Sequence, residues 1–561
     1  MINAFTIGTS AILAGQTALN VIGQNIANAA NPGYHLQTPN LVNSEAGNAT
    51  PTGVDVASIT RYTNDPVRTA ILVANGAQGL LNSRLSIRQQ IENTLGSGTG
   101  GIGDQLNSFF NQVTQLTTQP ASTVARQPLV ATASNLAQQI NSAAGAIDNL
   151  RNELGQQITS NVAQLNTYAS QIANLNDRIA AAEQQGTQPN DLLDQRDSLI
   201  NSLSQMVDVK TVNQPDGVVN VLSSDAAIVT GNFANTFQAA PNAGGSFVVT
   251  QTGSTQPITF NSGSLSGQLQ EYNTNIPATR SQLDNWTNQL IGNVNEVQAT
   301  GLGLNGPLSS TTGTVSVSSA TVPLNSANLP FPVQAGQLTV SVTDSSGNRT
   351  NTAIAINPAT QSLQDIATAL NGVTGLSASV TSGNQLQIQG QAGYTFDFAG
   401  RDTNPPGGGA VANPDTAGIL SALGVNGFFS GSNASSIAVN PAIVADPGLL
   451  AGSKSGQPGD TTNLQKLAAI QNQQLVNGQT LSDNYANQAA TVGSDVHSLT
   501  DQQTVQTNLV QSLNNQEQSV TGVDTNQELA QLLNYQRMIQ GASEYMSTVN
   551  TALDSILNII K

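Results

Sequence analysis

The chain has 561 residues, and 33 acidic against 16 basic side chains leave a formal net charge of −17. That balance excludes nucleic acid and anionic membrane surfaces as natural partners, because both need a cationic footprint. The absence of cysteine excludes disulfides, thiolate metal sites and thiol catalysis. One core does not grow to this length, so two to four domains are expected. With 9% of residues charged and 4% aromatic, the surface is polar but weakly charged, as suits packing against further copies. No stretch reads as the ~20 apolar residues of a membrane span. Residues 1–15 lack the basic region and long apolar run of a cleaved secretory signal, so any export is expected to use a route without cleavage.

In chain order, the first thirty residues carry apolar or small side chains at steps of three and four: Phe5, Gly8, Ile12, Gly15, Leu19, Ile22, Ile26 and Ala29. This is a helical seam. Gly8 and Gly15 stand where a stable isolated coil would carry leucine. Glycine weakens the lone helix but admits another backbone very close, so the segment is expected to order against a neighbour. Pro32-Gly33 ends the helix. Residues 35–65, punctuated by Pro39, Pro51 and Asp65-Pro66, read as extended linker.

A helix follows from about Pro66 to Leu95, closed by the glycine-rich run 96–101, and a third starts near Ile102. Leu136, Ile140, Ala143, Ile147, Leu150 and Leu154 keep heptad steps. Ile158 and Val162 then add two steps of four, a stutter, before Leu165, Ile172, Leu175 and Ile179 resume. Beyond Asp191 the texture turns to strands, with Pro215-Asp216-Gly217 as a hairpin turn between Val212 and Val219. Helix returns from Leu265 to Val297 around Trp286. Residues 307–455 alternate with the period of half-buried strands, for instance Leu338-Thr339-Val340-Ser341-Val342. They also hold one short helix from Ser362. From Asn463 helix is expected nearly to Val520. Thr525-x-x-Glu528 reads as a capping box for a last helix. Its seam of Leu532, Tyr535, Ile539, Ala542, Met546, Val549, Leu553, Ile556 and Ile560 runs four heptads, roughly 42 Å.

The expected architecture is an α+β multidomain chain. Terminal coiled-coil helices fold back together, a long-helix bundle domain follows, and a mostly β outer domain is inserted. The divisions are 1–65 (assembly helix and linker), 66–205 (helical bundle, first part), 206–262 (small β element) and 263–306 (helical return). They continue with 307–455 (inserted β-rich domain), 456–520 (bundle, last part) and 521–561 (C-terminal assembly helix). Helical seams at both ends point to joining rather than catalysis.

Residues that could carry chemistry are few. His35 and His497 show no metal-binding spacing. They read as a linker polar residue and a solvated helix flank. Asp191, Asp194, Arg196 and Asp197 form the densest charge cluster. Asp194 and Asp197 could be paired carboxylates for sugar hydrolysis, but no aromatic-lined groove accompanies them. The structural reading caps a helix and pairs with Arg196 on the surface. The glycine runs lack the Lys-Ser/Thr of a phosphate loop. No catalytic, cofactor or metal site is expected.

The segment Ala27-Asn28-Ala29-Ala30-Asn31-Pro32-Gly33-Tyr34, preceded by Gln16-Thr17-Ala18-Leu19 and Asn25-Ile26, resembles the N-terminal motif of bacterial flagellar rod, hook and hook-associated proteins. Asn31 replaces the family's usual threonine. Gln171–Asn176 and Pro189–Asp197 narrow the resemblance to the hook-associated protein 1 family, as do Val207-Asp208-Val209, Asp216–Val221, Gly301–Gly306, Gly522-Val523-Asp524 and Asn534-Tyr535-Gln536. Residues 307–455 carry no motif specific to it.

The resemblance implies a secreted structural protein of the bacterial flagellum, acting in flagellum assembly and motility at the hook–filament junction. It implies a ring of copies at the distal end of the hook, with the hook protein below and hook-associated protein 3 above. Type III export without a cleaved signal and a flagellar export chaperone on the C-terminal region are also implied. The assembly seam would then be Phe5, Ile12, Leu19, Ile22, Ile26, Leu532, Tyr535, Ile539, Met546, Val549, Leu553, Ile556 and Ile560. Asn25, Asn28, Pro32, Gly33 and Tyr34 would form the N-terminal motif. No cofactor, nucleic acid or membrane is implied. The alternatives are a secreted adhesin or filament-like protein whose β domain binds a ligand, and a wall-degrading enzyme of the flagellar rod.

Overall fold

The computed structural model describes residues 2–31, 33–46, 50–96 and 100–560, with side chains at all of these except 2, 3, 45, 46, 50–52, 559 and 560. Long helices and several small antiparallel sheets make the fold α+β, as expected. The chain divides into two compact units, one from residues 1–87, 153–274 and 497–561 and the other from 88–152 and 275–496.

The first unit begins with α1 (Ile2–Asn28) and the hairpin β1 (Gln37–Ala46) and β2 (Thr50–Arg61). The stretch expected as linker is therefore mostly a ribbon, with Gln37 opposite Arg61, Asn43 opposite Val54, one bulge between these pairs and a second just beyond Asn43. Pro39 sits in it opposite Ile59, since a two-stranded ribbon has free edges where a missing N–H costs little. Most of α2 (Asp65–Leu95), the C-terminal half of α4 (Thr123–Gln184) and α5 (Asn190–Met206) follow. Next come the antiparallel meander β3 (Lys210–Asn213), β4 (Val219–Ser223), β5 (Ala226–Thr230) and β6 (Phe233–Ala234), then the pair β7 (Phe237–Pro241) and β8 (Phe247–Gln251). The predicted hairpin turn holds, with Asp216 at φ 61° and Gly217 at φ 68°. The short α6 (Ser264–Gln270), the end of α12 (Leu481–Thr521) and α13 (Thr525–Ile560) complete the unit.

The second unit contains α3 (Ile102–Leu116) and α7 (Ile276–Ala299), which a π turn at Glu271–Asn275 separates from α6, breaking the single helix expected over 265–297. Trp286 is fully buried on α7, donates from Nε1 to the Leu481 carbonyl (2.8 Å) and packs at a tilt of 52° against Tyr485, ring centres 5.4 Å apart. The inserted β region has two three-stranded sheets. One orders β11 (Arg349–Ile356), β10 (Gly336–Thr343) and β14 (Thr395–Asp397); the other orders β12 (Leu376–Val380), β13 (Leu386–Gly390) and β9 (Ser310–Thr312). Between them lies α8 (Leu363–Asn371), whose N-cap Ser362 forms a reciprocal capping box with Asp365. Leu338, Val340, Ile366, Leu370, Ile388 and Phe396 share their core. Short α9 (Ile419–Leu423), α10 (Pro441–Ala445) and α11 (Thr462–Ala469) follow. The helix expected unbroken from Asn463 stops there, and Asn477 and Gly478 take positive φ before α12 starts. Left-handed backbone cannot continue a right-handed helix.

One expectation about the N-terminus changes. By length and composition, α1 from Ala4 to Asn28, at mean hydropathy 1.3, is apolar enough to cross a membrane. Its sequence holds no charged side chain. Strict runs of apolar residues missed this because serine, threonine and glycine lower hydropathy only slightly.

Candidate assembly site at the paired terminal helices

The partner of α1 is α13 of the same chain, running antiparallel. A Cβ placed on Gly8 would lie 2.5 Å from Met546 Sδ, and one on Gly15 would lie 2.6 Å from Ile539 Cγ1. A step of seven forward on α1 thus matches a step of seven back on α13. The glycines act as sockets and the long side chains of α13 fill them, which is how two backbones approach closely without a void.

Ile22 is fully buried, as are Ala14, Ala18 and Val21 beside the seam. Phe5, Ile12, Leu19 and Ile26 are half-buried, as are Leu532, Tyr535, Ile539, Met546, Val549 and Leu553. Ile556 is exposed, and the side chain of Ile560 lies outside the described residues. The hairpin covers a second face of α1, where Ser10 Oγ accepts from the Val54 amide at 3.2 Å. Two helices and a ribbon do not enclose a seam of this length, so its apolar side chains keep much of their contact with water. Leu13, Leu529, Leu533 and Tyr545 are likewise exposed.

Where the pair meets the rest of the unit, polar groups replace apolar ones. Asn25 is wholly buried, and its Nδ2 donates to Glu528 Oε2 and to the Gln37 carbonyl, both at 2.8 Å. Its Oδ1 accepts from Tyr34 Oη at 2.8 Å and from the Gln37 amide at 3.2 Å. Four groups from the turn, β1 and α13 are thereby satisfied by one side chain of α1. Burial, and then the charges of Asp194, Asp191 and Glu528, push the Tyr34 phenol up to about 12. Glu528 is therefore committed to a tertiary bond, and the expected Thr525 capping box does not form. Asp524 caps α13 instead, accepting from the Asn526 amide at 2.9 Å. Of the remaining motif residues, Asn28 bonds back to the Gln24 carbonyl and Gly33 adopts φ +90°, open to the glycine it is. Pro32 lies outside the described residues.

Beside this knot is an ionic one. Arg61, at the end of β2, reaches Asp194 (2.6 Å) and Asp197 (2.5 Å) on α5, and Arg68 on α2 reaches Asp197 (2.7 Å). His35 Nδ1 lies 2.7 Å from Asp194, and its Nε2 lies 3.9 Å from Glu517 on α12. His35 is thus a buried joint rather than a linker residue. Arg196 does not pair on the surface either. Buried, with its guanidinium lowered to about 10 by desolvation, it donates to Asn176 Oδ1 (3.1 Å) and the Gly217 carbonyl (2.5 Å). Asn176 in turn donates to the carbonyls of Val219 and Gly231. The polar residues of 171–197 therefore bolt the β3–β6 meander onto α4 and α5. His497, as expected, is exposed, 3.6 Å from Asp501.

Burial raises the Glu517 carboxyl above its ordinary range, against the lowering effect of His35, Arg68 and Arg61. A carboxyl that titrates higher in the folded than in the unfolded chain stabilises fully below the unfolded value of 4.5. That contribution is lost as pH rises through the folded value. Urea midpoints should carry this downward slope with rising pH, and Glu517→Gln should flatten it. An unchanged slope in the variant would remove Glu517 as its source.

This arrangement, with termini paired as helices, apolar stripes half covered and polar knots locking the pair's base, defines a site at which the end segments of the chain pack together. Comparison with known proteins agrees. The family described as the flagellar hook-associated protein FlgK helical domain matches residues 88–314. The flagellar hook-associated protein 1 of Salmonella typhimurium is 28% identical over 566 residues, covering 98% of each chain. That of Escherichia coli is 24% identical, also covering 98% of each. In Bacillus subtilis the protein of that name is 28% identical over 230 residues, 39% of this chain and 45% of the other. The fold resembles that of the flagellar hook junction protein FlgK from Burkholderia pseudomallei, with TM-score 0.50 and 20% identity over 81% of this chain and all of that one. The chain is thus similar to the flagellar hook-associated proteins. Among them it is similar to hook-associated protein 1 over nearly its full length.

Proposed function

We propose that this chain is a structural adaptor that polymerises at the distal end of the flagellar hook and joins hook to filament. The observation that carries the reading is the likeness to hook-associated protein 1 across 98% of both chains, terminal helices included. The half-covered seam from Phe5 to Ile26 and from Leu532 to Ile560 supplies the assembly surface, and contact between copies buries it at about 25 cal/mol per Å² of apolar area. The motif from Asn25 to Tyr34 holds the base of that surface in place. Asp194 and Asp197 are engaged by Arg61, Arg68 and His35, which favours a scaffold role for them over hydrolysis. The hook protein and hook-associated protein 3 are the neighbours this role requires. Type III export, with a chaperone shielding the C-terminal region beforehand, places the subunit outside the cell. Within this reading the divisions drawn from the sequence separate assembly segments (1–65, 521–561) from the bundle and the inserted region at 307–455.

Electron microscopy of a strain lacking the gene tests the proposal. Bare hooks, with filament protein lost to the medium, are the expected result; filaments of normal number and length would refute it.

A further inference from the structure

Beside the N-terminal motif, α4 and α5 each turn one polar face to a shared cleft of about 870 Å³. That is a volume at which proteins hold small organic ligands. Gln171, Asn174 and Arg178 on α4 follow at steps of three and four, and Asp191, Gln195 and Ser198 on α5 at steps of four and three. Each set therefore shares one side of its helix, and all of these side chains are exposed. Leu175 and Leu199 add apolar surface, and Tyr34, whose hydroxyl is already given to Asn25, adds a ring.

The amides of α4 that face the strands and α6 are taken. Asn161 donates to Gln268 Oε1 (2.9 Å), Asn166 to the Phe237 carbonyl (2.8 Å) and Asn176 to the Val219 carbonyl (2.8 Å). Gln171, Asn174 and Gln195 make no side-chain hydrogen bond among the described residues. Asp194, also on the cleft, is engaged by Arg61 and His35. One carboxylate, Asp191, and one guanidinium, Arg178, are left, so the lining is electrically balanced. A polyanion would meet a chain at −17, and an amphipathic helix would need a continuous apolar groove. Carboxamides and hydroxyls both donate and accept, as the hydroxyls of a sugar do, while the C–H faces of a sugar ring suit leucine and tyrosine.

We propose that this cleft binds an uncharged oligosaccharide. Gln171, Asn174 and Gln195 bond to its hydroxyls, Asp191 accepts from a further one, and the Tyr34 ring lies against a C–H face. The sugar is bound and not cleaved, because Asp194 already serves Arg61 and His35 and leaves Asp191 without a second free carboxylate. This binding is separate from the joining of hook to filament and stands or falls without it.

Saturation-transfer NMR of the full chain with chitotetraose, and separately with maltotetraose, tests the site. Saturable binding of at least one, with Kd about 1 mM or tighter, is expected. Gln171→Ala with Asn174→Ala should weaken it about tenfold or more, the factor that two lost hydrogen bonds amount to. Both side chains are exposed, so circular dichroism should show unchanged helix. Gln157→Ala, which changes an exposed amide of the same helix outside the cleft, should bind as wild type does. Since the ligand carries no charge, raising sodium chloride to about 0.5 M should leave the affinity unchanged. Failure of both sugars to saturate by about 10 mM would overturn the proposal. So would binding that survives the double change, that Gln157→Ala abolishes or that salt weakens.

Discussion

Aspartate 197 replaced by alanine should destabilise the first unit by about 3–5 kcal/mol, the cost of leaving a buried charge without its partner. Only 4% of the Asp197 side chain is exposed, and its carboxylate faces both Arg61 and Arg68. Removing it strands two guanidinium groups, one of them 7% exposed. Asp194 would still hold Arg61, so Arg68 and the α2–α5 contact bear most of the loss. Asp197→Asn keeps acceptor oxygen and volume, loses only the charge, and should fall between. Urea unfolding followed by circular dichroism gives the comparison. A midpoint within error of wild type for Asp197→Ala would mean the knot is solvated and contributes nothing. This experiment also bears on the hydrolase reading, in which these two aspartates would be dispensable for folding.

The second large effect concerns Gly15. Leucine there should part α1 from α13, although by local propensity it improves the helix by about 1 kcal/mol. The first added carbon would already lie 2.6 Å from Ile539 Cγ1 and 3.0 Å from Met538 Cε. Isoleucine is β-branched and held to one χ1 rotamer in a helix, so it cannot retreat. Overpacking of this kind costs about 1–3 kcal/mol. The half-covered pair has few other contacts with which to offset that cost. Gly8 differs in kind, because it faces Met546, whose unbranched thioether can swing aside, so Gly8→Ala should be mild. Amide hydrogen exchange along α1 is the readout. Gly15→Leu should exchange faster throughout α1, and Ile539→Ala in the same chain should recover much of the protection. Unaltered exchange in Gly15→Leu would mean that the close approach does not hold the pair.

Much of this molecule was legible from pattern. Periods of 3.5 to 3.6 placed α1, α4 and α13, a period of two placed β10, and the short helix from Ser362 and the Pro215–Gly217 turn fell where local chemistry puts them. The misreadings share a cause. Residues 37–46 and 50–61 are punctuated like a linker, but they pair as a ribbon because α1 lies against them. Thr525 and Glu528 have capping-box spacing, but Asn25, some five hundred residues earlier in the chain, claims the glutamate. His35 and Arg196 look like surface polar residues, and no neighbour in sequence reveals that Asp194, Asn176 or Gly217 will meet them.

By itself the sequence determined that the chain is a long-helix α+β protein with an apolar seam at each end and glycine sockets in the first. Those features depend on the period and size of residues three and four apart. Only the tertiary structure decided what fills the sockets, which carboxylates meet which arginines and how much of the seam stays open. Those outcomes depend on desolvation and charge pairing between segments far apart in the chain, and a local pattern carries no trace of them.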